Sequence, residues 1–480
     1  METRLASDHE GVAGGTTARE VAPVTAALWE REGAFASIEA LADRLDAGHP
    51  SVLFIAGEAG LGKTTLLEHA VARLANARVG WGRACEMEGA LAYGVIHPVL
   101  ADLGRQSGGA FDATDLLAAP GSPSPNFYRV LQALERLAAD APVLLALDDL
   151  HWADPDSLAL LSFLCRRLGP VPIGVIATLR PWPPAAAQLC ASLVGEGRAS
   201  LERLAPLSQE GVSAMMSAGL GTPVAAPLVA QAWHVTGGNP LLIQHVGMAL
   251  AQGETLPSDN RRVPRLGKDL LLTRFAAVSA PALRAAQAAA VLGAQFRSNL
   301  VAEVAGLDDA DGDQALEELY RSGLVVSADA GLARFAHPVF RQALYDDMVP
   351  SLRSRLHARA FRLYEQIGDV AVAASHALAA DLVGDPDAIA VVTRAGNNAL
   401  RERAFGTAVS RLRGAVRLAG PAADVSTLAA LGEGLWATGR SSEAISAFLE
   451  VVERPGLDTD SRCDAVHLLG RAQHSLGEYA

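Results

Sequence analysis

One stretch, Val52 to Leu67 (VLFIAGEAGLGKTTLL), constrains the chain more than any other. Val52-Leu53-Phe54-Ile55 is a short apolar run, the pattern of a buried strand. It stops at Gly57, and helix-forming residues resume at Lys63. Between them Gly57-Glu58-Ala59-Gly60-Leu61-Gly62-Lys63-Thr64 fits G-x-x-x-x-G-K-[ST], a P-loop. The glycines let the backbone curl so that its N–H groups cradle phosphate oxygens. The helix that follows starts at those phosphates with its positive end. Lys63 is placed to reach the β- and γ-phosphates, and the Thr64 hydroxyl to ligate Mg²⁺. Thr65, the next residue, joins the same phosphate-binding group. A chance Gly-rich turn is the alternative, and the flanking strand and helix weigh against it.

A second apolar run, Pro142 to Leu147, ends in Asp148-Asp149. Wholly apolar runs of this length suit a central parallel strand, whose carboxyl end faces a nucleotide crevice. Asp148 is then placed to hold Mg²⁺, directly or through water, and Asp149 to orient or deprotonate an attacking water. Strands ending in two acids are common on surfaces, so the pattern gains weight from standing about 80 residues after the P-loop. A third run, Val171 to Leu179, ends at Arg180. That arginine is either a γ-phosphate sensor that stabilises transferred charge or an ordinary strand-end cation. Asp154-Pro155 reads as a helix start, with the helix running to about Leu168.

The remainder divides by composition. Residues 1–24, rich in Gly, Thr, Ala and charge, read as a flexible tail. Residues 26–45 carry Leu28, Phe35, Ile38, Leu41 and Leu45 at helical spacing, and Arg31 near their start reads on its own as a solvated charge. Arg78 to Arg83 reads as a second strand, 95–103 as helix, 106–125 as a Gly/Ser/Pro loop, and 127–139 as helix. Residues 201–220 read as helix in a small lid, and 241–256 as another. A linker at 259–264 precedes Ala/Leu-rich helices (269–292 and 299–305) and a third beginning at Ala315. Two short strands, 324–326 and 333–335, complete a winged-helix pattern. Its third helix is acidic (Asp311, Asp313, Glu317, Glu318), which argues against phosphate contact. From 351 onward helices alternate, and Ala408, Ala444 and Ala480 recur in phase, as in TPR-like hairpins. The last hairpin breaks off at Ala480, so the expectation is a piece of a longer protein.

The expected fold is an α/β P-loop NTPase core, a parallel sheet with helices on both faces, over residues 25–200. An all-α lid (201–262), a winged helix (263–350) and a TPR-like α-solenoid (351–480) follow. A net charge of −13 excludes a broad nucleic-acid grip. Four cysteines without a C-x-x-C suit reduced thiols, and no run approaches the ~18 apolar residues of a membrane span, so the expected compartment is the cytoplasm.

Taken together, these strings resemble the STAND-class P-loop ATPases, in particular the large ATP-binding regulators of the LuxR family. Leu147 to Leu158 (LDDLHWADPDSL) resembles their Walker-B region, and Gly57 to Thr64 their GEAGxGKT. Arg31-Glu32 resembles the R-E before their P-loop, Ala177 to Arg180 their sensor strand, and Gly237 to Leu241 the GGNP turn of their lid. Phe335 to Tyr345 resembles the F-x-H-P-x-x-R-x-A-x-Y of their winged helix. The resemblance implies ATP or ADP with Mg²⁺ as cofactors; ATP rather than GTP is implied by it alone. It implies that Arg31 contributes to the nucleotide site, that Asn239-Pro240 brackets the adenine, and that His337 meets the ADP β-phosphate in an inactive state. From the residues alone, a helix stop and restart is the favoured reading of Gly-Gly-Asn-Pro, and His337 is equally a helix-cap histidine. The implied function is a slowly hydrolysing switch, closed with ADP and self-associating with ATP, whose repeats sense an unknown inducer or protein. DNA would be reached only through an output domain that is not found in these residues. A small-molecule kinase and a nucleotide-stabilised scaffold are the rivals.

Overall fold

The computed structural model describes residues 28–84, 91–118, 127–251, 278–328, 332–336, 338–455 and 459–475, together with Phe275 and Leu457. The expected tail, the 259–264 linker, His337, Cys85 and Ala480 lie outside these residues.

The first layer is built from α1 (Glu32–Asp46), β1 (Ser51–Ala56), α2 (Lys63–Arg73), β2 (Arg78–Arg83), α3 (Ile96–Gln106), α4 (Ala113–Ala118) and α5 (Phe127–Ala138). It continues through β3 (Val143–Asp148), α6 (Pro155–Arg167), β4 (Ile173–Leu179), α7 (Pro184–Gly195) and β5 (Ser200–Arg203). The five strands form one sheet in the order β2-β3-β4-β1-β5, and every neighbouring pair is parallel. Strand side chains alternate between faces. Val52 and Phe54 therefore join Leu145, Leu147 and Val175 under α3, α5, α6 and α7. Leu53 and Ile55 join Leu144, Ala146 and Ile176 under α1 and α2. Burial on both faces is why β3 and β4 are apolar throughout. Helix α3 lies so close to β2 that a Cβ on Gly82 would sit 2.2 Å from the Val95 carbonyl oxygen.

Three expectations are corrected here. Residues 201–220 are not one helix: Ser200–Arg203 is the edge strand β5, paired with Leu53 to Ala56. The sheet thus ends at Arg203, beyond the expected core limit at 200. The expected loop at 106–125 contains α4.

A three-helix lid follows: α8 (Gln209–Leu220), α9 (Ala226–Thr236) and α10 (Pro240–Ala251), packed around Val212, Met216, Ala232, Ile243 and Val246. Next come α11 (Ala280–Leu292), β6 (Gln295–Arg297), α12 (Ser298–Ala305), α13 (Asp309–Arg321), β7 (Val325–Ser327) and β8 (Leu332–Phe335). This is the expected winged-helix pattern with one addition. β6 makes the wing a three-stranded antiparallel sheet, ordered β6-β8-β7. Asp311, Asp313 and Glu317 of α13 face solvent.

The rest is helical: α14 (Pro338–Asp347), α15 (Pro350–Ile367), α16 (Val370–Ala380), α17 (Pro386–Arg401), α18 (Phe405–Ala419), α19 (Val425–Ala437), α20 (Ser441–Val452) and α21 (Thr459–Ser475). Consecutive helices pack on each other, α15 on α16, α17 on α18 and α19 on α20. Ala408 and Ala444 are both fully buried in one cluster with Leu412 and Phe448. Small residues there let the helices approach. The molecule is therefore a parallel-sheet α/β P-loop core followed by a mostly helical C-terminal region. Among the described residues no helix is long and apolar enough to cross a membrane. Cys165, Cys190 and Cys463 are free thiols.

Candidate nucleotide site

The loop between β1 and α2 turns at Gly60 (φ +81°) and Gly62 (φ +89°), left-handed conformations that L side chains rarely adopt. Four successive carbonyls of this loop are tied to the protein. Lys63 Nζ donates to Glu58 O at 2.8 Å, and Asn239 Nδ2 to Ala59 O at 2.7 Å. The Leu241 N–H donates to Gly60 O at 3.3 Å, and Arg31 Nη2 to Leu61 O at 3.2 Å. With the carbonyls committed outward, the N–H groups of the loop are what remains to meet an anion. Gly62 caps α2, so Lys63, Thr64 and Thr65 occupy the first turn of that helix, where the macrodipole is positive.

Lys63 is buried, and burial first, then the nearby Arg180, pull its pKa down to about 8. A desolvated ammonium beside a second cation is an anion site waiting for its countercharge. Thr64 Oγ1 lies 3.0 and 3.2 Å from the two carboxylate oxygens of Asp148, and donates to them. Asp148 is wholly buried and also accepts from Thr178 Oγ1 at 2.6 Å. Thr178 in turn accepts the Asp149 N–H at 2.8 Å, so one hydroxyl on β4 fixes both acids of β3. A hydroxyl and a carboxylate in contact are hard oxygen donors that fit Mg²⁺. Among the described residues no group of three or more His, Cys, Asp or Glu gathers for a metal. Phosphate and water would complete a shell started by Thr64 and Asp148, as Mg²⁺ prefers.

Asp149 follows β3 in a left-handed conformation (φ +54°), which Asp tolerates better than most residues. Burial, then the neighbouring Asp148, raises its pKa, against the pull of Arg180, Arg83 and Lys63. His151 Nδ1 stands 4.0 Å from an Asp149 carboxylate oxygen. Burial, with Arg180 and Lys63, lowers the His151 pKa to about 3, so the ring is neutral. Arg180 closes this group from the end of β4, and its Nε is buried with no hydrogen-bond partner among the described residues.

Arg31 is not the solvated charge its surroundings in sequence suggest: it is buried, and burial lowers its pKa. Its guanidinium spans from Glu30 O (2.9 Å) to the P-loop. Asn239 does two jobs. It caps α10 through Oδ1, which accepts from Leu241 N at 3.1 Å, and it pins the lid to the loop. Pro240 opens α10 beside it. The structure thus brings together Arg31, Gly57 to Thr65, Asp148, Asp149, Arg180 and Asn239-Pro240; His337 lies outside the described residues.

Two contributors were missed. Thr178 was noted only as part of the sensor string, although a hydroxyl in an apolar strand is itself a signal. Arg83, the last residue of β2, pairs in register with Asp148 and donates to it through Nε (3.0 Å) and Nη2 (2.5 Å). Only knowledge that β2 neighbours β3 would have found it.

Residues 27–176 match the family model of an AAA ATPase domain. An uncharacterized protein of Rhizobium meliloti (strain 1021) is 24% identical over 472 residues, covering 84% of this chain. The chain spans only 44% of that relative's length. Among solved structures, the STAND protein with a tetratricopeptide repeat sensor from Pyrococcus horikoshii aligns at a TM-score of 0.43 and 14% identity. That alignment covers 92% of this chain and 74% of the other. The ORC2 protein of Aeropyrum pernix, solved as ADPNP–ADP complexes, aligns at a TM-score of 0.36 and 17% identity over 69% and 95% of the two chains. The chain carries an AAA-type ATPase domain followed by a helical region.

Proposed function

We propose that this chain is the nucleotide switch of a signal-transduction ATPase. ATP or ADP with Mg²⁺ would bind between the P-loop and the lid, and the helical repeats would sense an inducer or protein partner. The observation that carries this reading is the double tie on the P-loop. Asn239 and Leu241 of the lid hold the same loop whose N–H groups face the phosphates. A change in phosphate occupancy is therefore felt by the lid through one turn of backbone.

The residues divide the chemistry among them. Lys63 leaves the Glu58 carbonyl and neutralises phosphate charge. Thr64 and Asp148 would hold Mg²⁺, which would supply charge neutralisation to the phosphates. Asp149, with its raised pKa and its backbone fixed by Thr178, orients the attacking water and accepts its proton. Arg180, beside Lys63, would meet the γ-phosphate and stabilise the charge that develops there. Neutral His151 packs behind Asp149 without competing for its charge.

By resemblance, the ADP state is closed and the ATP state open and self-associating, in a cytoplasmic transcriptional regulator of LuxR type. DNA contact would belong to an output domain beyond these residues. Substituting Asp149→Asn tests the reading. ATP affinity should stay within about threefold, while turnover falls about a hundredfold or more, the size of a lost general base. A chain whose repeats engage partners identically in wild type and Asp149→Asn, with and without ATP, would be a scaffold and not a switch.

A further inference from the structure

Asp148 is the only fully buried carboxylate among the site residues described above, and its three partners are unequal. Thr64 and Thr178 are neutral donors. Arg83 is the cation, and both of its bonds fall on Oδ2, which Thr64 also meets at 3.0 Å. Thr64 also meets Oδ1 at 3.2 Å, so of the two oxygens that a Mg²⁺ beside Thr64 could take, the nearer carries an arginine. Two cations on one carboxylate oxygen repel, and a Mg²⁺ at about 2.1 Å has no room to share Oδ2 with two N–H donors. The Arg83 side chain is 42% exposed, whereas Asp148 is 0% exposed, so the guanidinium can withdraw to water and the acid cannot. Arg83 also ends an edge strand: among the described residues β2 pairs only with β3, and with the Ala84 N–H bonded to Asp148 O at 2.9 Å the side chain can swing outward while the backbone stays paired.

We propose that Arg83 is a resident counter-ion of the metal-binding carboxylate, holding Asp148 when Mg²⁺ is absent and displaced when Mg²⁺ enters. It is a positioning residue that acts through Asp148. In the cation-free core Arg83 prevents an unpaired buried charge. On loading it is expelled from the site, so metal entry is transmitted to the end of β2. This rests on the Mg²⁺·nucleotide reading above.

The test is binding, not turnover. A fluorescent ADP analogue is titrated into the full chain in excess EDTA and in excess Mg²⁺, and the ratio of the two Kd values is compared among variants. In Arg83→Ala the ratio of Kd in EDTA to Kd in Mg²⁺ should rise about twofold to fivefold, the worth of a half-exposed ion pair that Mg²⁺ no longer has to break. Arg83→Gln should move in the same direction, which keeps the test open if the alanine variant folds poorly. In an Asp148→Asn background the Arg83→Ala effect should vanish, because the shared oxygen no longer carries charge. An unchanged ratio overturns the proposal. Equal loss of affinity with and without Mg²⁺ also overturns it, since it would make Arg83 a phosphate ligand. Failure of the unsubstituted chain to bind the analogue at all would overturn the nucleotide reading itself.

Discussion

Lys63 sits where its own charge is unwelcome, and that has a measurable consequence. Its pKa of about 8 lies well below the usual lysine value. The phosphates of a nucleotide would restore the charged form and raise that pKa. Above about pH 8, binding must therefore take up a proton, and affinity must fall as pH rises. Calorimetric titrations at pH 8.5 in two buffers of different ionisation heat should report net proton uptake, and Lys63→Arg, charged throughout, should abolish it. Equal heats in both buffers for the wild type would contradict the site as drawn. At this scale the sequence was informative where a residue type is dictated by chemistry: the P-loop glycines, Lys63, Thr64, Asp148 and Asp149 all come together. For Arg31 the local sequence suggests only a solvated charge and the resemblance alone implies a role at the nucleotide, and nothing in the sequence points to Arg83. Their roles depend on which backbone or carboxylate the fold brings beside them, Leu61 in one case and Asp148 in the other.

Elements differ in the same way. The strands β1, β3 and β4 are legible because burial on both faces demands unbroken apolar runs. β5 was misread because Leu201, Leu204 and Leu207 imitate helical spacing. Pairing with β1 overrode that local preference. Pro206 and the Ser208 cap, whose Oγ accepts from Gly211 N, marked the true helix start. Another element-scale feature, not visible in spacing, joins α14, α15 and α16. Tyr345 Oη meets His357 Nε2 at 2.9 Å, and His357 Nδ1 meets His376 Nδ1 at 2.9 Å. Burial, with Arg341 and Arg353 nearby, pulls the His357 pKa to about 4; burial and His357 pull His376 to about 3. Both folded values lie below the unfolded one, so the stability is fully present above pH 6.5 and is lost as pH falls toward 4. For the pair this is on the order of 3 kcal/mol, counted once because the rings titrate together. Urea unfolding between pH 7 and 5 should show the decline, and His376→Gln should flatten it. A wild-type profile already flat over that range would refute the assignment.

At the scale of the whole molecule the repeats touch the core near Asp148 and Asp149. Asp156, near the start of α6, accepts from Gly406 N at 3.0 Å and Thr407 N at 2.9 Å. A core carboxylate thus satisfies the first N–H groups of α18, a helix in the repeats. Burial raises the Asp156 pKa, and the two backbone bonds oppose that rise. Gly406 is needed there, because a Cβ would meet Pro155 Cβ at 2.8 Å. α6 follows Asp149 after one short turn (Leu150–Trp152), so a partner that pulls on α18 pulls on the segment that leads back to Asp149. Asp156→Ala should cost the contact about 1–3 kcal/mol. Small-angle scattering should then show a larger radius of gyration at unchanged helix content. An unchanged scattering profile would mean that the repeats are held elsewhere. This contact spans some 250 positions of sequence and no local pattern could announce it.

The decisive measurement is the nucleotide that the chain carries. The purified chain should release ADP on denaturation, at about one equivalent per chain when binding is tight, and Lys63→Ala should release none. A wild-type chain that carries no nucleotide and binds neither ADP nor ATP with Mg²⁺ would contradict it.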